Sequence, residues 1–317
     1  MAVKRIMKRA RARGAAIMLA LWALFLLSAM VISWALDIGT RLTISGNSHR
    51  VVEASAMACS GAEIAFHPNV KPGDPVLRGG FGPNQSFEAR ITGESGRLNL
   101  NWLVAAILAN PNDTPKRELL RKYLEIKGVD LNEREHMIDC LLDWVDPGNE
   151  VHLNGAENEP GYKPANKPLG TLEEVKRIRG WEDFTSRPDW DADLTLAQGT
   201  GPIDPNWASR DVLLSLPGLD ELRVDQFLSI RRGPDGIEGN EDDVRFEQGN
   251  QQGTQGNLQI ALGLGPEQFN QLSGLIISND TVLRVTSIGK SGAVTRTVRM
   301  VVRKANNSIQ LLTWKEL

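Results

Sequence analysis

The most apolar part of the chain lies near its start, where residues 15–36 (AAIMLALWALFLLSAMVISWAL) carry no charge. As a helix, an apolar run of about 20 residues is long enough to cross the hydrocarbon core of a bilayer. Six basic residues and no acidic residue precede this run, and that asymmetry keeps an N-terminus in the cytoplasm. The pattern predicts a membrane-spanning helix, with the remaining chain on the far side of the membrane. A plain anchor and a cleaved secretory signal are alternative interpretations of the same run.

The helical pattern continues beyond the apolar run. Residues 37–66 contain no proline, and the segment VVEASAMAC at 51–59 is compatible with a helix that has small side chains on one face. Gly39 and Gly46 disfavour an unbroken helix, whereas the proline after His67 favours its end there. We therefore expect one long helix, half in the membrane and half packed on a globular body.

Alternating apolar and polar residues predict strands in two parts of the chain. The first is FEARIT at residues 87–92, and the turn residues GESG that follow predict a hairpin with residues 97–101. The second part lies near the C-terminus, with KSG at 290–292 as a hairpin turn. Its three predicted strands cover residues 282–289, 294–303 and 309–314.

Helical spacing dominates the middle of the chain. It predicts helices around residues 119–124 and 137–145, the second of which ends at Pro147 and Gly148. Ser209 is a candidate N-cap, and LPGL at 216–219 joins two short helices. Such a helix-hairpin-helix can bind phosphate through its backbone, but acidic flanks and an exported location favour a plain packing unit.

The net charge of the chain limits the kinds of ligand that it can bind. The formal charge of the 317-residue chain is −3, but without the six basic residues before Gly14, 30 basic residues face 39 acidic ones. An acidic exported chain is a poor ligand for nucleic acid and a plausible ligand for cations. Cys59 and Cys140 can pair in an oxidising compartment, yet their spacing does not distinguish a disulfide from two buried thiols.

Two acidic loops are candidate calcium sites. One follows residue 145, and the other is RGPDGIEGNEDD at 232–243, where Gly236 and Gly239 let the backbone wrap around an ion. Calcium takes about 6–8 hard oxygen ligands, and neighbouring carboxylates repel each other without a cation. The second loop lacks the spacing of an EF-hand, and a solvated loop is the alternative for both. The candidate ligands are Asp143, Asp146, Asn149, Glu150 and Glu157 in the first, and Asp235, Glu238, Asn240, Asp242 and Asp243, beside Glu241, in the second.

Catalytic signatures are missing from the sequence. The four histidines show no H-E-x-x-H pattern, neither cysteine belongs to a C-x-x-C pair, and no G-x-S-x-G or Walker-type loop is present. Asp143 and Asp146 have the side chains for acid–base work, but they adjoin a loop suited to a metal ion. The sequence predicts a protein that is not an enzyme.

Three motifs resemble those of the K-type minor pseudopilins of type II secretion systems. The basic leader, Gly14 and the apolar helix from Ala15 resemble a prepilin signal. ESGRLNLNWL at 94–103 resembles the family signature D/E-x-G-K/R-hydrophobic-N-hydrophobic-N. The DWVD of residues 143–146, followed by GAE at 155–157 and by Tyr162, resembles a second family block. The resemblance covers nearly the whole chain.

The resemblance implies processing by a prepilin peptidase, which would cut after Gly14 and leave an N-methylated Ala15. Most pseudopilins carry glutamate at the fifth mature position, whereas this chain has Leu19, as is typical of K subunits. The implied fold class is α+β: a long N-terminal transmembrane helix on a small antiparallel sheet, with a large α-helical insertion. The expected parts are the leader 1–14, the membrane segment 15–36, the pseudopilin helix and first strands 37–109, the insertion 110–275, and the last strands 276–317.

The resemblance also implies a function and a location. K subunits sit at the tip of the periplasmic pseudopilus with minor pseudopilins I and J, above the major pseudopilin, and help to initiate its assembly for the export of folded proteins. The chain is then a single-pass protein of the cell inner membrane with a periplasmic C-terminal part, and calcium binds in its insertion. The alternatives are a tip protein of a type IV pilus or DNA-uptake pseudopilus, and a membrane-anchored calcium-binding periplasmic module.

Overall fold

The computed structural model describes residues 2–110, 114–240, 242–246, 257–305 and 308–317. Its first element is helix α1, Ala2–Ala65, which confirms the predicted long helix. Gly39 and Gly46 lie within it and do not interrupt it. The apolar side chains of α1 are exposed from Ile17 onward. In the described part of the chain, α1 is the one helix long and apolar enough to cross a membrane.

Two sheets follow α1. The strands are β1 (Arg78–Gly80), β2 (Gln85–Gly93), β3 (Leu98–Asn99), β4 (Leu194–Thr195), β5 (Val282–Ser291), β6 (Val294–Ala305) and β7 (Ser308–Glu316). The larger sheet is antiparallel, with the order β1-β2-β5-β6-β7, and the smaller one pairs β3 with β4 in parallel. The strands predicted at 87–92 and near the C-terminus are thereby confirmed.

Small residues bring α1 close to the larger sheet. Ala54, Ala58 and Ala62 are fully buried on the face of α1 that packs on the strands. Gly289 of β5 faces them, and a Cβ atom there would lie 2.1 Å from the Ala54 carbonyl oxygen and 2.2 Å from the Ala58 nitrogen. The stripe of alanines and this glycine therefore allow backbone to approach backbone.

The segment between β2 and β5 forms a helical domain, residues 98–276, around its own hydrophobic cluster. Its helices are α2 (Leu100–Ala109), α3 (Thr114–Ile126), α4 (Leu131–Val145), α5 (Glu182–Thr185), α6 (Arg210–Ser215), α7 (Glu221–Arg231), α8 (Leu258–Ala261) and α9 (Pro266–Gln271). The sequence placed the start of this insertion at residue 110. Leu100, Leu103 and Val104 of α2 are buried in the cluster, so the domain begins before that position.

The hairpin predicted over residues 87–101 is wrong. Strand β2 pairs with β1 and β5, and after a 3-10 turn at Glu94–Gly96 the chain enters the helical domain. There Leu98 donates its backbone N–H to the Asp193 carbonyl, and Asn99 caps α2. The alternating pattern is present, but β3 pairs with β4, about 100 residues away in sequence, and not with β2.

The two short helices predicted around LPGL and the predicted Ser209 cap are present. The hydroxyl of Ser209 accepts a hydrogen bond from the backbone N–H of Val212 (3.2 Å), so it caps α6. LPGL at 216–219 then joins α6 to α7, with Gly218 at a φ of +79°. Glycine suits this position because side chains with a Cβ rarely adopt positive φ.

The junction between sheet and helical domain is closed by a tryptophan and a carboxylate. A Cβ atom at Gly93 would lie 2.1 Å from the Trp207 ring, and one at Gly96 would lie 2.5 Å from the Trp207 carbonyl. Ser95, between these glycines, donates its backbone N–H to Asp280 (2.6 Å), just before β5. The turn therefore needs glycine on both sides of Ser95 to accept Trp207.

Asp204 makes the junction sensitive to pH. Burial raises its pKa to about 6 from an ordinary 3.8. The folded state therefore binds this proton more tightly than the unfolded state, and the resulting stability is fully present below the unfolded pKa and lost as the pH rises to about 6. We expect the free energy of unfolding to fall by about 3 kcal/mol as the pH rises through this range. Thermal melts of Asp204→Asn across the same range should show no such fall. Asp183→Asn, at an exposed carboxylate, should leave the profile unchanged; an equal effect of both substitutions would contradict the assignment.

Candidate functional site: the acidic loops

The first acidic loop is built around a buried carboxylate at the end of α4. Asp143 is 0% exposed, and its Oδ1 accepts the backbone N–H of His152 (3.1 Å) and lies 2.5 Å from His152 Nδ1. Its Oδ2 has no hydrogen-bond partner among the described residues, nor has either carboxylate oxygen of Glu157, which is 6% exposed. Three buried carboxylate oxygens thus lack a hydrogen bond.

These oxygens repel one another. Burial raises the pKa of Glu157, and the charge of Asp143 raises it further, while the backbone N–H of Asn158 acts in the opposite direction with a smaller effect. Burying carboxylates without hydrogen bonds or a counter-charge is costly, and a cation would remove that cost. A Cβ atom at Gly155 would lie 1.8 Å from Asp143 Oδ2, so only glycine leaves room beside this oxygen. The residues present fit a divalent cation with oxygen ligands.

The other candidates of this loop lie at its surface. Asp146 is half-buried and accepts the backbone N–H of Gly148 (3.1 Å), while Asn149 and Glu150 are exposed. Within the described ranges, no three His, Cys, Asp or Glu side chains are gathered as a ready-made metal site. Calcium would therefore take its further ligands from carbonyl, amide and water oxygens. Sequence reasoning missed His152, because nothing in its neighbourhood marks it as the partner of Asp143.

The second acidic loop is held together by its own polar groups. Asp235 accepts the backbone N–H of Ile237 (2.7 Å) and the side-chain amide of Asn240 (2.6 Å). Asp242 accepts the backbone N–H of Asp235 (3.3 Å). Oδ1 of Asn240 and Oδ1 of Asp243 are buried and unpartnered in the part of the loop that the structure describes. Glu241 lies outside the described residues.

Arginines supply charge to this loop from outside it. Arg231 of α7 donates to Glu238 (2.7 Å), Arg90 of β2 lies 3.5 Å from the same carboxylate, and Arg245 donates to Asp243 (3.2 Å). The sequence argument for a cation in this loop depends on repulsion among its carboxylates. These three arginine side chains neutralise part of that negative charge. Of the two loops, the first therefore carries the stronger case for calcium.

The two cysteines lie in different cores. Cys59 is on α1, packed beside the larger sheet, and Cys140 is buried in α4 of the helical domain. Both thiols are free in the described structure. Burial raises the pKa of Cys140 to about 12, so it stays protonated, with Sγ 3.6 Å from His136 Nδ1.

The signature ESGRLNLNWL connects distant segments. Glu94 accepts two hydrogen bonds from Arg284 of β5 (2.6 Å each) and one from Thr195 of β4 (2.5 Å). Asn99 caps α2 and donates to the carbonyls of Ala197 and Thr200, and Asn101 exchanges two hydrogen bonds of 2.9 Å with the backbone of Leu169. The signature residues therefore fix the helical domain internally and against the sheet.

Comparison with known proteins finds a family match that includes most of this signature. Residues 96–186 match the family model of the first domain of type II secretion system protein K. The type II secretion system protein K of Dickeya chrysanthemi is 27% identical over 67 residues, which are 20% of this chain and 19% of that protein. The match therefore spans about a fifth of the curated relative's length.

A solved structure shares the fold. The crystal structure of the GspK-GspI-GspJ complex from the type 2 secretion system of enterotoxigenic Escherichia coli contains a chain that matches with a TM-score of 0.51 at 13% identity. The match covers 88% of this chain and 99% of that chain, so it includes both the sheet and the helical domain. The family model, the curated relative and the solved structure agree: residues 96–186 are similar to type II secretion system protein K, and the chain shares the fold of a chain in the GspK-GspI-GspJ complex.

Proposed function

We propose that this chain is a non-catalytic minor pseudopilin that caps the tip of a type II secretion pseudopilus and helps to start its assembly for the export of folded proteins. The observation that carries the proposal is the helical domain inserted between β2 and β5, whose first part matches the protein K family. The structurally similar complex joins GspK to GspI and GspJ, and we extend that likeness to binding of minor pseudopilins I and J by this chain. The major pseudopilin lies below them.

Two features of the chain support a place at the tip. The helical domain, residues 98–276, adds a bulky body to one side of the pseudopilin sheet and would obstruct a subunit stacked above it. Leu19 occupies the position at which most pseudopilins carry a glutamate. The carboxylate of that glutamate can pair with the N-terminal amine of a neighbouring subunit. A charge buried in lipid is costly unless paired, so its absence removes one reason to dock beneath another subunit.

Processing and location form part of the same proposal. A prepilin peptidase cleaves after Gly14, Ala15 becomes the N-methylated first residue, and α1 keeps its apolar half as a single-pass anchor in the inner membrane. The exposed apolar surface of α1 from Ile17 onward supports this placement, since such a surface is stable in lipid and not in water.

The experiment that tests the proposal is immunogold labelling of pseudopili from the native host, with an antibody against this chain. We expect gold particles at fibre ends only, and intact mass should show a chain that begins at N-methylated Ala15. Leu19→Glu should remain at the ends, because the helical domain still obstructs stacking. Labelling along the wild-type fibre would reject the tip position, labelling along the fibre in Leu19→Glu would reject obstruction by the helical domain, and an uncleaved chain would reject pseudopilin processing.

Calcium binding is the second part of the proposal. In the first loop, Asp143 and Glu157 would hold the ion, with Asp146, Asn149 and Glu150 as further oxygen donors; in the second, Asp235, Glu238, Asn240, Asp242 and Asp243 are candidates. Bound calcium would act by neutralising buried carboxylates, which stabilises the fold. The three unpartnered oxygens of Asp143 and Glu157 support it.

We expect calcium to raise the melting temperature of the purified chain, and a chelator to reverse the rise. An ion present at about 100 times its Kd adds about 2.7 kcal/mol to the free energy of unfolding. Glu157→Gln should lose much of this gain, yet in chelator it should be more stable than the wild type, because the amide removes a buried charge. Glu133→Gln, at an exposed position of α4 outside the candidate ligands, is the matched control. Equal calcium responses of the wild type and Glu157→Gln would exclude the first loop.

A further inference from the structure

A cleft of about 650 Å³ separates the larger sheet from the helical domain. One wall is formed by β5, β6 and β7, on the face of the sheet away from α1, and the other by residues 170–173 and 191–198. Val301 of β6 and Leu312 of β7 contribute apolar surface to the wall. The cleft lies apart from both acidic loops, and it is large enough for a small ligand or a few residues of a peptide.

Two cations occupy neighbouring positions on the sheet wall. Arg299 of β6 and Lys315 of β7 are direct cross-strand partners in the register, and both line the cleft. Like charges directly opposite each other on one face of a sheet are destabilising. A fold that keeps this pair therefore needs negative charge between or beside the two side chains.

The acidic residues of the facing wall supply that charge only in part. Asp191 lies 3.7 Å from Arg299, and Glu173 lies 3.8 Å from Lys315, which are ion-pair distances too long for direct hydrogen bonds. Glu173 is closer to Lys176 of its own segment, at 2.6 Å. Nε of Arg299 is buried and has no hydrogen-bond partner among the described residues. Donors of the sheet wall are thus left without acceptors.

Arg284 and Glu94 also line the cleft. Glu94 accepts hydrogen bonds from Arg284, from Thr195 and from Arg97, which lies beside it (3.4 Å). The Glu94 carboxylate is therefore already engaged by donors other than Arg299 and Lys315.

We propose that the cleft binds an oxyanion between the Arg299 guanidinium and the Lys315 ammonium group. The planar guanidinium and the compact ammonium group can donate hydrogen bonds to two oxygens of one oxyanion. Inorganic phosphate and the carboxylate of an acidic side chain share this chemistry. The ligand supplies the acceptor that Arg299 Nε lacks and neutralises the cross-strand repulsion.

The test is a titration of the full chain in detergent, followed by its melting temperature, with inorganic phosphate in one arm and N-acetylglutamate in the other. Sodium chloride at matched ionic strength corrects for screening. We expect a saturable rise with at least one probe, and the responding arm identifies a free inorganic anion or a peptide carboxylate as the source. No saturable rise with either probe would overturn the proposal.

Four variants assign the response to the cleft. Arg299→Gln and Lys315→Gln should each weaken the affinity about tenfold or more, since each removes a charge-assisted hydrogen bond, whereas Lys315→Arg should retain it. The side chain of Lys315 is 54% exposed, so its replacement keeps the fold even if Arg299→Gln does not. Lys290→Gln, at an exposed lysine of β5, is the control. An unchanged affinity in Lys315→Gln would overturn the site.

Discussion

Replacing Glu94 with alanine should lower the free energy of unfolding by about 3–5 kcal/mol, because it leaves the Arg284 guanidinium buried without a counter-charge. The side chains of Glu94 and Arg284 are 1% and 8% exposed, and two hydrogen bonds of 2.6 Å join them. Thr195 of the helical domain loses an acceptor in the same variant. Denaturant unfolding of the chain in detergent measures the change.

Glu173→Ala is the matched control for this prediction. Glu173 pairs with Lys176 and Lys315 at the exposed rim of the same cleft, where an ion pair contributes about 0–1 kcal/mol. The double variant Glu94→Leu, Arg284→Met should recover more than half of the loss, since it leaves no buried charge at either position. If Glu94→Ala costs no more than Glu173→Ala, the buried pair does not hold the sheet and the helical domain together.

Local chemistry explains what the sequence predicted well. The long α1, the C-terminal strands, the Ser209 cap and the LPGL turn each depend on residues within a few positions of one another. The acidic candidates Asp143 and Glu157 also follow from a local cluster, and the structure buries both. A pattern with a period of two or 3.6 residues, or a proline and glycine at a turn, carries that information without any knowledge of the fold.

Long-range partners explain what the sequence did not predict. The short strand at Leu98–Asn99 pairs with Leu194–Thr195, and Glu94 finds Arg284 190 residues away. His152 supports Asp143, and Arg231 neutralises Glu238, although neither position stands out in its own segment. Such pairings are decided by the tertiary packing, so one sequence shows the charges and not their partners.

Arg231 is the second position where we expect a large effect. It lies on α7 of the helix-hairpin-helix, is 2% exposed, and donates to the carbonyls of Pro205 (2.9 Å) and Ala208 (2.7 Å) and to Glu238 (2.7 Å). Arg231→Ala should cost about 3–5 kcal/mol, because it leaves the buried carbonyls of Pro205 and Ala208 without this donor and opens a cavity beside Phe227. Denaturant unfolding again measures the loss.

The adjacent Arg232 provides the control, since it is half-buried at the end of α7. Arg232→Ala should change the free energy of unfolding by about 0.5 kcal/mol or less. Arg231→Ala should also expose the second acidic loop to proteolysis, because Glu238 then loses its buried donor and keeps, among the described residues, Arg90 at 3.5 Å. Equal stability of the two alanine variants would mean that contacts other than those of Arg231 fix the loop.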